Sequence, residues 1–157
     1  MQPQIISPSW SDILELSETL ATQIIESHKR VPFQHIVAIS RGGLIPLGLL
    51  LQRIKFGEAQ FHILKVSSYI NRVQCHKVKT PCLDIDDIDN MRTLIIDDIA
   101  DTGATFNAVR KVSPRVTCTA FYSKPRGEST CNYYAKFIPQ NTWVEFPWEL
   151  NDTLAHN

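Results

Sequence analysis

Residues Leu94-Ile95-Ile96 run without a spacer into Asp97-Asp98, and Asp101-Thr102-Gly103-Ala104-Thr105 follow at once. An apolar run rich in β-branched residues reads as a strand buried on both faces, which places it near the centre of a sheet. Two adjacent acids at the end of such a strand cannot be carried into the core without a large desolvation cost. They must stand at the sheet's edge, where the chain turns. The small and hydroxylated residues behind them read as a tight turn into a helix over 103–112, which Pro114 stops. A second apolar run, His35-Ile36-Val37-Ala38-Ile39-Ser40, breaks in the same way at Arg41-Gly42-Gly43 and is followed by apolar residues of helical character over 44–55. Pro46 falls in the first turn of that helix, where it is tolerated.

Two strand–turn–helix units imply crossover connections and a mainly parallel sheet. The rest of the chain agrees. Ile13, Leu16, Leu20, Ile24 and His28 recur at helical spacing, and Ser9 with Asp12 suggests an N-cap, giving a first helix over 10–29. Further strands are expected over 61–69, 93–97, 116–122 and 134–138. The aromatic tail reads as irregular. Residues 70–91 carry Pro81 and mixed charge without helical periodicity. They read as a long mobile loop, with a small hairpin in part of it left open. The expectation is a single α/β domain over 1–157: a mainly parallel twisted sheet flanked by helices.

The 157 residues carry 16 basic and 16 acidic side chains, so no global positive field draws the protein to nucleic acid. The longest apolar stretch, around 44–51, is too short to span a bilayer. The N-terminal segment has no basic region followed by an apolar core, as a secretory signal would. Cys75, Cys82, Cys118 and Cys131 form no CxxC pair, and the reading is four reduced thiols in a cytoplasmic protein. Asp84–Asn90 lacks the central glycine and closing glutamate of a calcium loop. Cys75-His76 with Cys82 lacks the fourth ligand of a zinc site.

The chemistry therefore concentrates at the strand ends. Backbone N–H groups of Thr102, Gly103, Ala104 and Thr105 would point into the turn, aided by the helix N-terminus and two hydroxyls, and this suits a dianionic phosphate. Asp97, Asp98 and Asp101 would repel that anion unless they contact something else on the same molecule. Carboxylates accept hydrogen bonds from sugar hydroxyls and bind hard cations such as Mg2+, so a ribose 5-phosphate with a metal satisfies both halves of the pattern. A helix cap without a ligand explains one acid, worth ~1 kcal/mol, but not two more at the end of a buried strand. Arg41 offers a planar donor fork for an oxyanion beside the bare backbone of Gly42 and Gly43.

The stretch Asp97-Asp98-Ile99-Ala100-Asp101-Thr102-Gly103-Ala104-Thr105 resembles the diphosphoribosyl-binding signature of type I phosphoribosyltransferases. That resemblance implies transfer of a phosphoribosyl group from 5-phosphoribosyl-1-diphosphate, with Mg2+, to a nucleobase. It implies that Asp97, Asp98, Asp101 and residues Thr102 to Thr105 bind the phosphoribosyl group, with Asp98 at the metal. Arg41 and Gly42 would form the pyrophosphate loop, with a cis peptide between Ser40 and Arg41, and Arg72 is the best match to the loop arginine on pyrophosphate. Phe121-Tyr122-Ser123-Lys124-Pro125 and Trp143 to Glu149 resemble the base-binding segments of bacterial xanthine-guanine phosphoribosyltransferases. Lys124 would then meet the purine 6-oxo group and Trp143 cover the ring. Backbone carbonyls of Val144 and Glu149 would read the 2-substituent. Segment 124–150 would form part of a hood over the site, and 70–91 its closing loop.

The resemblance covers about 10–149. It departs where Ala104 replaces a turn glycine and where Phe146 replaces a polar residue. It makes Asp101 the candidate base near purine N7, and it implies a homodimer or homotetramer, with the apolar surface of the first helices as a possible contact. The competing expectation is a non-catalytic nucleotide-sensing regulator on the same fold.

Overall fold

The computed structural model describes residues 4–66, 73–74 and 92–149. The elements are β1 (Gln4–Ile6), α1 (Trp10–Arg30), β2 (His35–Ser40), α2 (Leu44–Leu51), β3 (Gln60–Val66), β4 (Val73–Gln74), β5 (Thr93–Ala100), α3 (Ala104–Val112), β6 (Thr117–Ser123), a 3-10 turn at Glu128–Thr130, β7 (Tyr133–Phe137) and β8 (Thr142–Val144). The main sheet has the order β4-β3-β2-β5-β6-β7. Every pairing in it is parallel except β3 with β4. The expected α/β class is therefore what the chain adopts, with β5 at the centre.

α1 begins with a reciprocal capping box. The Asp12 amide donates to Ser9 Oγ at 3.2 Å, and the Ser9 amide donates to the Asp12 carboxylate at 2.7 Å. Ile13, Leu16, Leu20 and Ile24 are buried, so the apolar stripe read from the sequence is the face that meets the sheet. Each such side chain contributes roughly 1.5–3 kcal/mol on leaving water. They pack with Ile36, Leu94 and Ile96 on one face of the sheet, where α2 also lies. Val37, Ile39 and Ile95 point to the other face and pack with Phe106 and Val109 of α3.

Four differences from the sequence reading have physical causes. α2 ends at Leu51 rather than at residue 55, because its last turn tightens: Gln52 and Arg53 donate to carbonyls three residues back, at 3.3 and 3.0 Å. β5 does not stop at Asp97 but continues to Ala100, since β6 pairs with it as far as Ser123. The two strand-end acids therefore lie inside the strand. Gly103 is not helical; at φ 78° it is the left-handed N-cap of α3. The aromatic tail is not irregular throughout. β8 pairs in parallel with β1, Gln4 to Thr142 through Ile6 to Val144, and forms a separate two-stranded sheet. β1 and β8 thus make one small unit apart from the main sheet, whereas β7, within the 124–150 segment expected in a hood, is the edge strand of the main sheet.

Cys118 and Cys131 are free thiols, and burial pushes both up to about 12. Cys75, Cys82, Arg72 and Asp84–Asn90 lie outside the described residues. Among the described residues, no helix is long and apolar enough to cross a membrane.

Candidate active site

The carboxyl ends of β2, β5 and β6 meet at one edge of the sheet, where ligands of open parallel sheets bind. β5 carries Asp97 and Asp98 to this edge. Asp97 is buried, at 8% exposure, and its Oδ1 accepts the Asp98 amide at 3.0 Å. Burial first, and then the charge of Asp98, push the Asp97 carboxyl up to about 8. Burial likewise pushes Asp98 up to about 6, with Glu149 adding repulsion. Two adjacent carboxyls held away from water resist ionisation, so positive charge brought beside them would be favoured.

Asp97 to Phe106 line a cavity of about 230 Å3. It therefore brings together all seven residues expected at the phosphoribosyl group: Asp97, Asp98, Asp101, Thr102, Gly103, Ala104 and Thr105. Gly103 is required twice over. Its φ is left-handed, and a Cβ there would sit 2.6 Å from Thr130 Cγ2. The Ala104 amide reaches Thr102 Oγ1 at 3.3 Å. No described non-glycine residue has a positive φ, so alanine is accommodated at 104.

The turn after β2 lies directly against this cluster. The Ser40–Arg41 peptide is cis, as the resemblance implied. Gly42 backs onto Asp98, with a Cβ placed there falling 2.6 Å from the Asp98 Cγ. Gly43 backs onto the main chain, where its Cβ would lie 2.2 Å from the Ile96 carbonyl oxygen. Arg41 is exposed.

From the third strand, Lys124 follows β6. Its side chain is almost wholly buried, yet its Nζ donates to Asp101 Oδ2 at 2.9 Å. A buried ammonium needs a partner, and Asp101 supplies it. The Lys124 amide donates to the Ala100 carbonyl at 3.0 Å, and Gly127 lets the next turn press on that carbonyl, since a Cβ there would be 2.1 Å from it. On the hood, Trp143 is exposed at 59% and Val144 is buried. The Glu149 side chain accepts the Phe146 amide at 3.2 Å. Trp148 is a packing residue: it stacks on Phe146 with ring centroids 4.5 Å apart. Phe146 is itself buried, so the departure from a polar residue fills hood core.

Sequence reasoning missed Gln140. Its Nε2 donates to Asp101 Oδ1 at 2.7 Å, a contact 39 residues apart in the chain. Nothing local to an amide in the 138–142 turn marks it, so only the fold reveals the pairing. Thr130 and Arg110 were missed for the same reason. The Arg110 guanidinium donates to the Thr130 carbonyl and to Asn132 Oδ1, fixing the turn that abuts Gly103.

The model of the phosphoribosyl transferase domain matches residues 9–153. The chain is 32% identical over 142 residues to a xanthine-guanine phosphoribosyltransferase of Gluconobacter oxydans, covering 90% of this chain and 82% of that one. Its fold matches a purine phosphoribosyltransferase from Pyrococcus horikoshii with a TM-score of 0.67 at 24% identity, over 94% of this chain and 95% of the other. A xanthine-guanine-hypoxanthine phosphoribosyltransferase from Helicobacter pylori matches with a TM-score of 0.67 at 17% identity, over the same shares. A family model spanning nearly the whole chain, and a strand-end acid cluster with its phosphate-sized turn, lead to one conclusion: this protein belongs to the phosphoribosyltransferase family.

Proposed function

We propose that the protein transfers the 5-phosphoribosyl group of phosphoribosyl diphosphate to a 6-oxopurine, guanine or xanthine with hypoxanthine as the rival, giving the nucleoside monophosphate and pyrophosphate. The observation that carries this reading is the buried Lys124 paired with Asp101, an acid that itself lines the cavity. Lysine is donor-only. A buried ammonium at that place matches a ring carbonyl and rejects an amino group.

The turn amides of Thr102 to Thr105 would hold the 5-phosphate, and Asp97 and Asp98 the ribose hydroxyls. Arg41 and the Gly42 turn would take the pyrophosphate. Trp143 would stack on the base, and the carbonyls of Val144 and Glu149 would read its 2-substituent. As the bond from C1 to pyrophosphate breaks, a purine nitrogen bonds to C1 and Asp101 receives the proton lost near N7. Arg72 and the 70–91 segment keep their expected roles on pyrophosphate and in water exclusion, as proposals on sequence grounds alone.

The donor set fits Mg2+. That ion takes one or two carboxylates and completes its shell with water and substrate phosphates. Asp98, with hard oxygens kept clear of any Cβ by Gly42, would hold it. Bound there, Mg2+ would neutralise charge gathering on the departing pyrophosphate. Assembly as a homodimer or homotetramer is part of the same proposal, with α2 as the contact: Leu44–Leu51 holds no charged side chain, and only Pro46 and Leu50 are buried.

The test is to supply protein, Mg2+ and phosphoribosyl diphosphate with guanine, xanthine or hypoxanthine, one at a time. Nucleotide and pyrophosphate are expected in equal amounts. Binding without turnover of any base would favour the regulator reading instead.

A further inference from the structure

We infer that Gln140 is a positioning residue that fixes the Asp101 carboxylate for proton transfer, an inference that rests on the reading of Asp101 as the base. Two other segments meet at this amide. Gln140 Nε2 donates to Asp101 Oδ1 at 2.7 Å and approaches the Asp101 carbonyl oxygen at 3.4 Å. Its Oε1 accepts the Arg126 amide at 3.0 Å. A backbone N–H can only donate, so Arg126 sets the amide's orientation and turns its NH2 group toward Asp101.

The two oxygens of Asp101 thus have different partners. Lys124 holds Oδ2 at 2.9 Å and Gln140 holds Oδ1. A carboxylate held by one donor can swivel about its last torsion, which is broad; two donors on separate oxygens fix its plane. When a base carbonyl engages Lys124, the ammonium divides its donors between two acceptors. Gln140 cannot turn its acceptor end toward Asp101, because its carbonyl oxygen is already committed to the Arg126 amide. It keeps the carboxylate in place during the step in which Lys124 is shared. The turn that carries it is anchored by the Ile138 amide on the Ser123 carbonyl, at 3.0 Å, and by the Thr142 amide on the Pro139 carbonyl, at 3.1 Å. Position is therefore transmitted from the main sheet to Asp101.

Gln140→Glu replaces the donor with a charged acceptor. It keeps the shape and still accepts from Arg126, but sets an acceptor against Asp101. The measurement is kcat and KM for guanine and phosphoribosyl diphosphate in Gln140→Glu, Asp101→Asn and the double variant. Gln140→Glu is expected to lower kcat by roughly tenfold, a fraction of what a general base supplies, with KM for phosphoribosyl diphosphate unchanged. In the Asp101→Asn background the same change is expected to cost nothing further. Unchanged kcat in Gln140→Glu beside a slow Asp101→Asn overturns the inference and leaves the base standing. So does an equal loss in both backgrounds, which would mean that Gln140 acts apart from Asp101. Full activity in Asp101→Asn removes the base itself, and Gln140 with it.

Discussion

The Asp98 carboxylate lies against the backbone of Gly42, so close that a methyl group on Gly42 would fall 2.6 Å from two of its atoms. The end of β5 and the turn after β2 therefore form a single surface, on which the proposed sugar and pyrophosphate sites adjoin. Gly42→Ala should force the Asp98 side chain aside while leaving the main chain free. We expect kcat/KM for phosphoribosyl diphosphate to fall about 100-fold, the scale of an ångström misplacement, with melting nearly unchanged. Gly43→Ala should do the reverse. Its Cβ meets the Ile96 carbonyl, so overpacking should cost ~1–3 kcal/mol in a denaturant titration. Equal effects from the two variants would refute the distinction.

Asp97 gives a pH dependence with a definite sign. In the unfolded chain it ionises near 3.8, and in the fold only near 8. Between those values the unfolded chain releases a proton that the folded protein keeps, so stability falls as pH rises. Asp97→Asn removes this titration. In metal-free buffer, the wild type should lose roughly 10 °C more than the variant on going from pH 5 to pH 8. Parallel melting curves would show Asp97 to be ionised throughout.

Trp143 and Trp148 should separate cleanly. Trp143 is exposed, and Trp148 stacks on Phe146 and approaches Trp10 at 5.9 Å. Trp143→Ala should raise KM for the purine by about 5- to 100-fold, the worth of one base–aromatic stack, without lowering the melting temperature. Trp148→Ala should cost roughly 2–3 kcal/mol of stability. Purine-induced quenching of tryptophan fluorescence should vanish with Trp143 alone.

The α1 cap is a test remote from the chemistry. Ser9→Ala deletes the acceptor for the Asp12 amide and should cost ~1 kcal/mol. Catalytic constants should stay at wild-type values. A change in kcat would mean that the hood, which begins just before Ser9, reports the state of the cap to the site.

What could be read along the chain was what depends on neighbours in sequence. The apolar stripe of α1, the buried run of β2 and the acids followed by Thr102-Gly103 are local patterns, set by periodicity and by the solvation cost of charge. The seven residues they singled out line one cavity. The length of β5 was underestimated because acids argue against burial. It is pairing with β6, supplied from outside the segment, that carries the strand on through Asp98.

Hydrophobic period and turn chemistry act over a few residues, and they suffice for the α/β class, the central strand and the acid cluster near its end. The closure of β1 on β8 and the room that Gly42 makes for Asp98 belong to the assembled fold. It alone joined Lys124 and Gln140 to the two oxygens of Asp101. Those contacts span from 23 to 138 residues. No local pattern encodes them, because they follow from which strands lie side by side once the sheet has formed.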